Sequence, residues 1–475
     1  MTAPLSLKDF VWGIQSGEIS VVENASRIVK EIEKKNPEYN HFNLFDAKNV
    51  LQQAEQLEKE IKKGRKGKLL GVPVSVKDCI CVKGVESRAG AKILSGYKPV
   101  FDATAVRKAR EEGAIILGKT VQDEFGFGTF SVNVTAGKIP LNPLDKQRSC
   151  GGSSGGAAGF TALTQHTHAA LAESTGGSIA APAAFCGVSS ITPTYGLVSR
   201  HGLMDYASSL DKIGTMGKTI EDASLLLQVI SGKDAMDSTS LDSKPFAKEN
   251  LKGTAIGLPK EFFSAVKNEK LVSEVRAKID SAKGLGAKIV DVSLPLNAEY
   301  GIAAYYLIAM SEASTNLAKY CGMRYGFEKP LSGTFNEYFS EVRSEAFGTE
   351  AKRRILLGTF ARMSGFRDAY YLRAMKARTK LINEFKSAFR KVDLIALPSM
   401  PIVAPKFSEI EKLTPLEHYA MDICTVPPNL CGLPHSTISA GKVKGTDLPS
   451  SLMLVADHLQ ESKLVSFSAA LEGLK

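Results

Sequence analysis

Tryptophan occurs once in this 475-residue chain, and histidine and cysteine seven times each. No two histidines have the HExxH spacing, no CxxC pair exists, and Cys79-Ile80-Cys81 has no second pair to close a tetrahedral site. A metal enzyme is therefore not expected. An odd number of cysteines scattered through apolar contexts argues for reduced, buried thiols and against a disulfide framework. Long apolar runs are also missing. The longest, around Tyr300 to Met310, falls well short of the ~20 residues a membrane span needs. The opening MTAPLSLKDF has neither the basic start nor the apolar core of a signal peptide. The expectation is a soluble, cytoplasmic protein with no membrane contact.

What is present is globular in proportion: 44% hydrophobic and 23% charged residues, in a chain long enough to bury a core unaided. The net charge of +10 suits an anionic partner such as RNA, but Lys and Arg are interspersed with acids. The one dense run, Lys62-Lys63-Gly64-Arg65-Lys66-Gly67-Lys68, reads as a solvated loop. Residues 6–64 carry a helical pattern, and Leu69 to Val76 changes to a strand pattern. Thr104 to Gly113 reads as a helix and Ala114 to Leu117 as a buried strand. The stretch 137–217 is rich in Gly, Ser, Thr and Pro and reads as packed loops with functional backbone. Residues 254–292 form a β-α-β unit and 349–391 are helical. A strand at 393–397, a helix at 415–424, strands at 435–440 and 451–456 and a closing helix at 460–473 follow. This alternation predicts an α/β fold, one large layered domain with a helical N-terminal wrap over residues 1–68 and the main body over 69–475.

Three motifs invite chemistry. Gly113-Ala-Ile-Ile-Leu-Gly118-Lys119-Thr120 matches GxxxxGK[ST], but a phosphate loop needs a strand before its first glycine and a helix after its last. Here the order is reversed. Gly151-Gly152-Ser153-Ser154-Gly155-Gly156 contains GxSxG twice, which raises an α/β-hydrolase elbow with His458 downstream. Such an elbow needs a buried strand before it, and Asp145 to Cys150 does not read as one. Ser174-Thr175-Gly176-Gly177-Ser178 places a serine where glycine lets backbone amides turn toward developing charge. A serine nucleophile needs a base, and no histidine lies near a plausible site in this half. Lys77, ending Pro73-Val-Ser-Val-Lys77-Asp78, is the alternative, since a desolvated lysine accepts a proton near neutral pH. Ser153 is placed to relay between Lys77 and Ser178.

These pieces closely resemble the amidase signature family, through Gly71 to Asp78, Asp102-Ala-Thr104, Gly118-Lys-Thr120, Gly151 to Gly156, Thr175 to Ile179, Pro182 to Gly187 and Pro193-Thr-Tyr-Gly196. The resemblance implies the family's α/β fold with a central mixed sheet flanked by helices. It implies Lys77 as base, Ser153 as bridging serine on a cis peptide and Ser178 as nucleophile, with the backbone N–H groups of Thr175, Gly176 and Gly177 as oxyanion hole. Within the family the chain is similar to the A subunits of glutamyl-tRNA(Gln)/aspartyl-tRNA(Asn) amidotransferases, through Tyr195 to Leu203, Ala207 to Gly214, Ser311 to Leu317, Arg353 to Phe360 and Met421 to Pro427. That likeness implies glutamine as substrate, with Arg354 for its carboxylate, Asp422 for its ammonium and Tyr305 as hydrogen-bonding partner. It implies no cofactor in this chain. It also implies a B subunit using ATP and Mg, a small C-type subunit, and misacylated tRNA reached through the complex. The chain departs from the family at Ser174, where Asp is usual, at Ala180, where Arg is usual, and in one extra residue within Gln165-His-Thr-His168. A stand-alone amidase for other amides and a catalytically silent scaffold stay open beside this reading.

Overall fold

In the computed structural model, residues 4–474 are described; of the stretch read for a signal peptide, residues 1–3 lie outside them. The strands are β1 Phe42–Phe45, β2 Pro73–Lys77, β3 Ile115–Thr120, β4 Leu141–Asn142, β5 Asp145–Ser149, β6 Ala169–Ser174, β7 Ser189–Thr192, β8 Lys212–Gly217, β9 Ala255–Pro259, β10 Lys288–Val292, β11 Leu394–Pro398, β12 His435–Lys442 and β13 Pro449–Ala456. Eleven of them form one mixed sheet in the order β1-β3-β2-β6-β8-β7-β12-β13-β11-β9-β10. β2, β3 and β6 run parallel, whereas β8 is antiparallel to β6. Every residue of β2, β3, β6 and β8 is buried, because helices cover both faces and the apolar strands need no polar side.

Local signals set most helix starts. Ser20, Asp46 and Asn268 cap Val21–Tyr39, Ala47–Lys62 and Glu269–Ser281, each accepting a backbone N–H of the first turn. The last of these helices crosses between β9 and β10, which pair in parallel as the β-α-β pattern predicts. The N-terminal region is not all helix, however. Phe42–Phe45 pairs with β3 along the sheet edge, a segment too short for its period to stand out from the helices beside it. The stretch 137–217 is likewise richer in elements than its composition indicates. It holds β6, β7, β8 and the helices Gly155–Leu163 and Ala180–Cys186, whose small residues pack closely. Asp145–Ser149 is a strand, but a half-exposed one in a hairpin with β4, outside the main sheet. Lys119, the lysine of the GxxxxGK[ST] match, is buried in β3 and donates to the Ile80 carbonyl, so no phosphate loop forms there.

The helices Pro295–Asn316 and Thr349–Arg362 meet at Gly358, where a β-carbon would overlap the Met310 carbonyl. Because backbone cannot yield as a side-chain tip does, Gly358→Ala is expected to lower stability by about 1–3 kcal/mol. Denaturant melts of the two proteins measure this, and coincident midpoints would contradict such tight packing.

Candidate active site

The carboxyl ends of β2, β3 and β6 lie side by side, and in parallel sheets the crevice beyond such ends is where ligands collect. Lys77 ends β2. Its ammonium donates to Ser153 Oγ at 2.8 Å, to the Glu173 carbonyl at 2.9 Å and to Glu173 Oε2 at 2.8 Å. Both side chains of the Lys77–Glu173 pair are almost wholly withdrawn from water. Ser153 follows a cis peptide bond at Gly152. Its loop is pinned where Gly152 N donates to the Thr129 carbonyl, Asp123 N to the Ser153 carbonyl and Ser154 Oγ to the Glu173 carbonyl. Asp123 organises the facing turn by accepting from Ser131 N and Asn133 N, and burial pushes its carboxyl up to about 6.

Five residues beyond Glu173, Ser178 lies just before the helix Ala180–Cys186 and is 6% exposed. Among the described residues, the backbone N–H groups of Thr175, Gly176 and Gly177 meet no protein acceptor, which leaves them able to bind an oxyanion. Glycine is required here by close approach. A β-carbon on Gly177 would overlap the Thr425 side chain, and one on Gly176 would lie 2.7 Å from the Tyr305 hydroxyl.

A second cluster faces this loop. Arg354, 3% exposed, donates from Nε to Glu350 Oε1 at 2.8 Å and from Nη1 to the Tyr206 hydroxyl at 2.6 Å. Its guanidinium lies 5.0–5.6 Å from the ring centroids of Phe127, Tyr206, Tyr306 and Tyr419. Asp422 accepts from the Tyr306 hydroxyl at 2.7 Å and from Thr129 Oγ1 at 3.0 Å, and burial pushes its carboxyl up to about 6. Thr129 thus joins the clusters, its carbonyl holding the serine loop and its hydroxyl the Asp422 carboxylate. A cavity of about 270 Å³ opens beside Thr129, Glu350, Arg353, Arg354, His418 and Tyr419, and Asp422 sits behind it, reached through Thr129.

The amidase family matches residues 23–465. The chain belongs to the amidase family. A relative from Clostridium acetobutylicum, the second of its glutamyl-tRNA(Gln) amidotransferase A subunits, is 44% identical over 454 residues, covering 93% of each chain. The crystal structure of the glutamyl-tRNA(Gln) amidotransferase A subunit from Thermotoga maritima superposes with a TM-score of 0.78 at 32% identity, over 95% of this chain and 91% of that one. Peptide amidase from Stenotrophomonas maltophilia superposes with a TM-score of 0.81 at 25% identity, over 98% and 96%.

In this amidase the GxSxG match has no histidine. The His458 ring pairs with the Cys431 carbonyl and Asp457, so Ser153 faces a lysine instead. The extra residue in 165–168 precedes β6 and lies at the opposite end of that strand from Ser178. Ser174 and Ala180 are both buried, and the Ser174 hydroxyl has no partner. Neither position therefore carries a buried charge. Sequence reasoning missed Glu173, Thr129, Tyr206, Tyr306 and Glu350. Only Glu173 left a trace, as the single acid in the otherwise uncharged strand Ala169-Ala-Leu-Ala-Glu173-Ser174. Among the described residues no group of three or more His, Cys, Asp or Glu is disposed to hold a metal ion.

Proposed function

We propose that this amidase hydrolyses glutamine as the A subunit of a tRNA-dependent amidotransferase. The observation that carries the reading is that Arg354 and Asp422 both meet Tyr306, beside the Tyr305 that approaches the loop of Ser178, since free glutamine presents a carboxylate and an ammonium flanking its amide. Ser178 Oγ attacks the side-chain amide carbon, and its proton passes through Ser153 to Lys77. The amides of Thr175, Gly176 and Gly177 receive the oxyanion. Lys77 returns the proton through Ser153 to the departing nitrogen, ammonia leaves, and water hydrolyses the glutamyl ester. Arg354 holds the α-carboxylate through its planar fork, Asp422 the α-ammonium, and Tyr305 borders the amide end at Gly176. The ammonia passes to a B subunit, which uses ATP and Mg to amidate misacylated tRNA, with a small C-type subunit completing the complex in the cytoplasm. The amidotransferase A subunits among the relatives support this assignment.

The Asp422 role carries a pH signature. Burial raises its carboxyl to about 6, so the anion that pairs with ammonium is present above that pH and lost below it. The KM for glutamine is expected to climb as pH falls through about 6. Asp422→Asn is expected to raise KM about tenfold to a hundredfold at neutral pH and flatten that climb. Steady-state ammonia release by the assembled complex measures both. An unchanged KM in the variant would mean that the cavity takes other amides, as a stand-alone amidase would.

A further inference from the structure

Hydrogen-bond arithmetic around Lys77 leaves no place for an incoming proton. An ammonium has three hydrogens and no acceptor, and Lys77 Nζ has three acceptors at 2.8–2.9 Å: Ser153 Oγ, the Glu173 carbonyl and Glu173 Oε2. As an ammonium Lys77 donates to Ser153, whereas a base must be a neutral amine that accepts from the Ser153 hydroxyl over the same distance. One hydrogen has to leave Nζ for bulk water before the Ser153 proton can arrive. The carboxylate opposes that loss. Inside a buried pair the attraction is screened little, and its removal would leave Lys77 with no counter-ion in contact.

Glu173 is itself fixed in place. Its Oε1 lies 2.9 Å from Thr175 Oγ1, which lies 2.8 Å from Asp211 Oδ1. Asp211 is held in turn by the backbone N–H groups of Tyr206 and Ala207, and burial and the neighbouring Glu173 charge push its carboxyl well up. The other groups facing the pair are Cys79 beyond β2, Asp123 from the turn after β3, and the Tyr206 ring. None of these lies in hydrogen-bond contact with Lys77.

We propose that Glu173 is a positioning residue that holds the Lys77 side chain against Ser153 and so shapes the pH dependence with which Ser178 becomes reactive. The proposal rests on the Lys77–Ser153–Ser178 mechanism of the proposed function.

Labelling of Ser178 by a fluorophosphonate reads this step without requiring glutamine to be the substrate. The labelling rate is followed against pH in the assembled complex for the wild type, Glu173→Gln and Glu173→Asp. Loss of a contacting opposite charge shifts such titrations by about one to three units. The rising limb is therefore expected to move to lower pH by about one unit or more in Glu173→Gln and to stay in place in Glu173→Asp. Glu173→Ser supplies the same neutral test if glutamine at this position prevents folding. A limb at the same pH in the wild type and the neutral variants overturns the role of Glu173 and leaves the serine mechanism intact. No labelling of the wild type at any pH overturns the serine mechanism and this proposal together.

Discussion

Ser178→Ala is expected to lower ammonia release from glutamine by on the order of ten-thousandfold, with the complex still assembled. The size follows from chemistry that no neighbour can replace. Ser153 is tied by its hydrogen bond to Lys77 and by its loop to Thr129 and Asp123, which suits the relay proposed for it rather than attack. Ser178 stands next to backbone amides without acceptors. Those amides persist in the variant, and their residual stabilisation of an oxyanion keeps the loss from being total. Ser153→Ala should also cost heavily, since it removes the one hydroxyl in contact with Lys77. A fall of less than tenfold for Ser178→Ala, measured as ammonia release beside the wild type, would remove Ser178 from the mechanism.

The second large effect belongs to Arg354. Its guanidinium is ringed by four aromatic side chains and paired with Glu350, whose Oε1 also accepts from the Tyr419 hydroxyl at 2.8 Å. Such a setting fixes the direction of the fork before substrate arrives. Arg354→Ala removes the cation proposed to meet the α-carboxylate, while Glu350 keeps Arg353 and the Tyr419 hydroxyl as partners, so the loss falls on binding more than on folding. A fall in kcat/KM of on the order of a hundredfold to a thousandfold follows from about 3–4 kcal/mol of lost binding, carried mainly by KM. Arg354→Lys separates binding from folding, because it keeps the charge while losing the planar fork and the stacking. It should retain most of the thermal stability yet still show a raised KM. A wild-type KM in Arg354→Lys would mean that the substrate carries no carboxylate at this position.

Legibility in the sequence followed the range of the interactions. The glycines and serines of 151–156 and 174–178 declare themselves locally, because their spacing is itself the backbone shape they adopt. Lys77 was readable as the end of an apolar strand, and the structure sets it against Ser153. The β9-to-β10 unit was readable from its change of period. What escaped was assembled across long separations. Thr129 reaches Asp422 and Tyr206 reaches Arg354 from parts of the chain that look like ordinary loops, and no local pattern marks either. Tyr305 was singled out from a pair of adjacent tyrosines, yet the Tyr306 hydroxyl is the one on Asp422, while that of Tyr305 meets Gly176. Neighbours on a helix differ by about 100° in direction, and only the packing of Pro295–Asn316 decides which tyrosine faces which group. Glu173 was hidden because a buried strand tolerates an acid only with a partner, and its partner lies on another strand.

A glutamyl ester on Ser178, left when ammonia departs, is the centre of the proposed mechanism, and trapping that ester tests it most directly. The assembled complex is mixed with isotopically labelled glutamine, quenched in acid during turnover and digested, and the labelled acyl group is located by mass spectrometry. A glutamyl group is expected on the peptide containing Ser178, absent from the Ser178→Ala protein. Turnover of glutamine with the label on another residue, or with no acylated peptide while Ser178→Ala stays active, would contradict the mechanism.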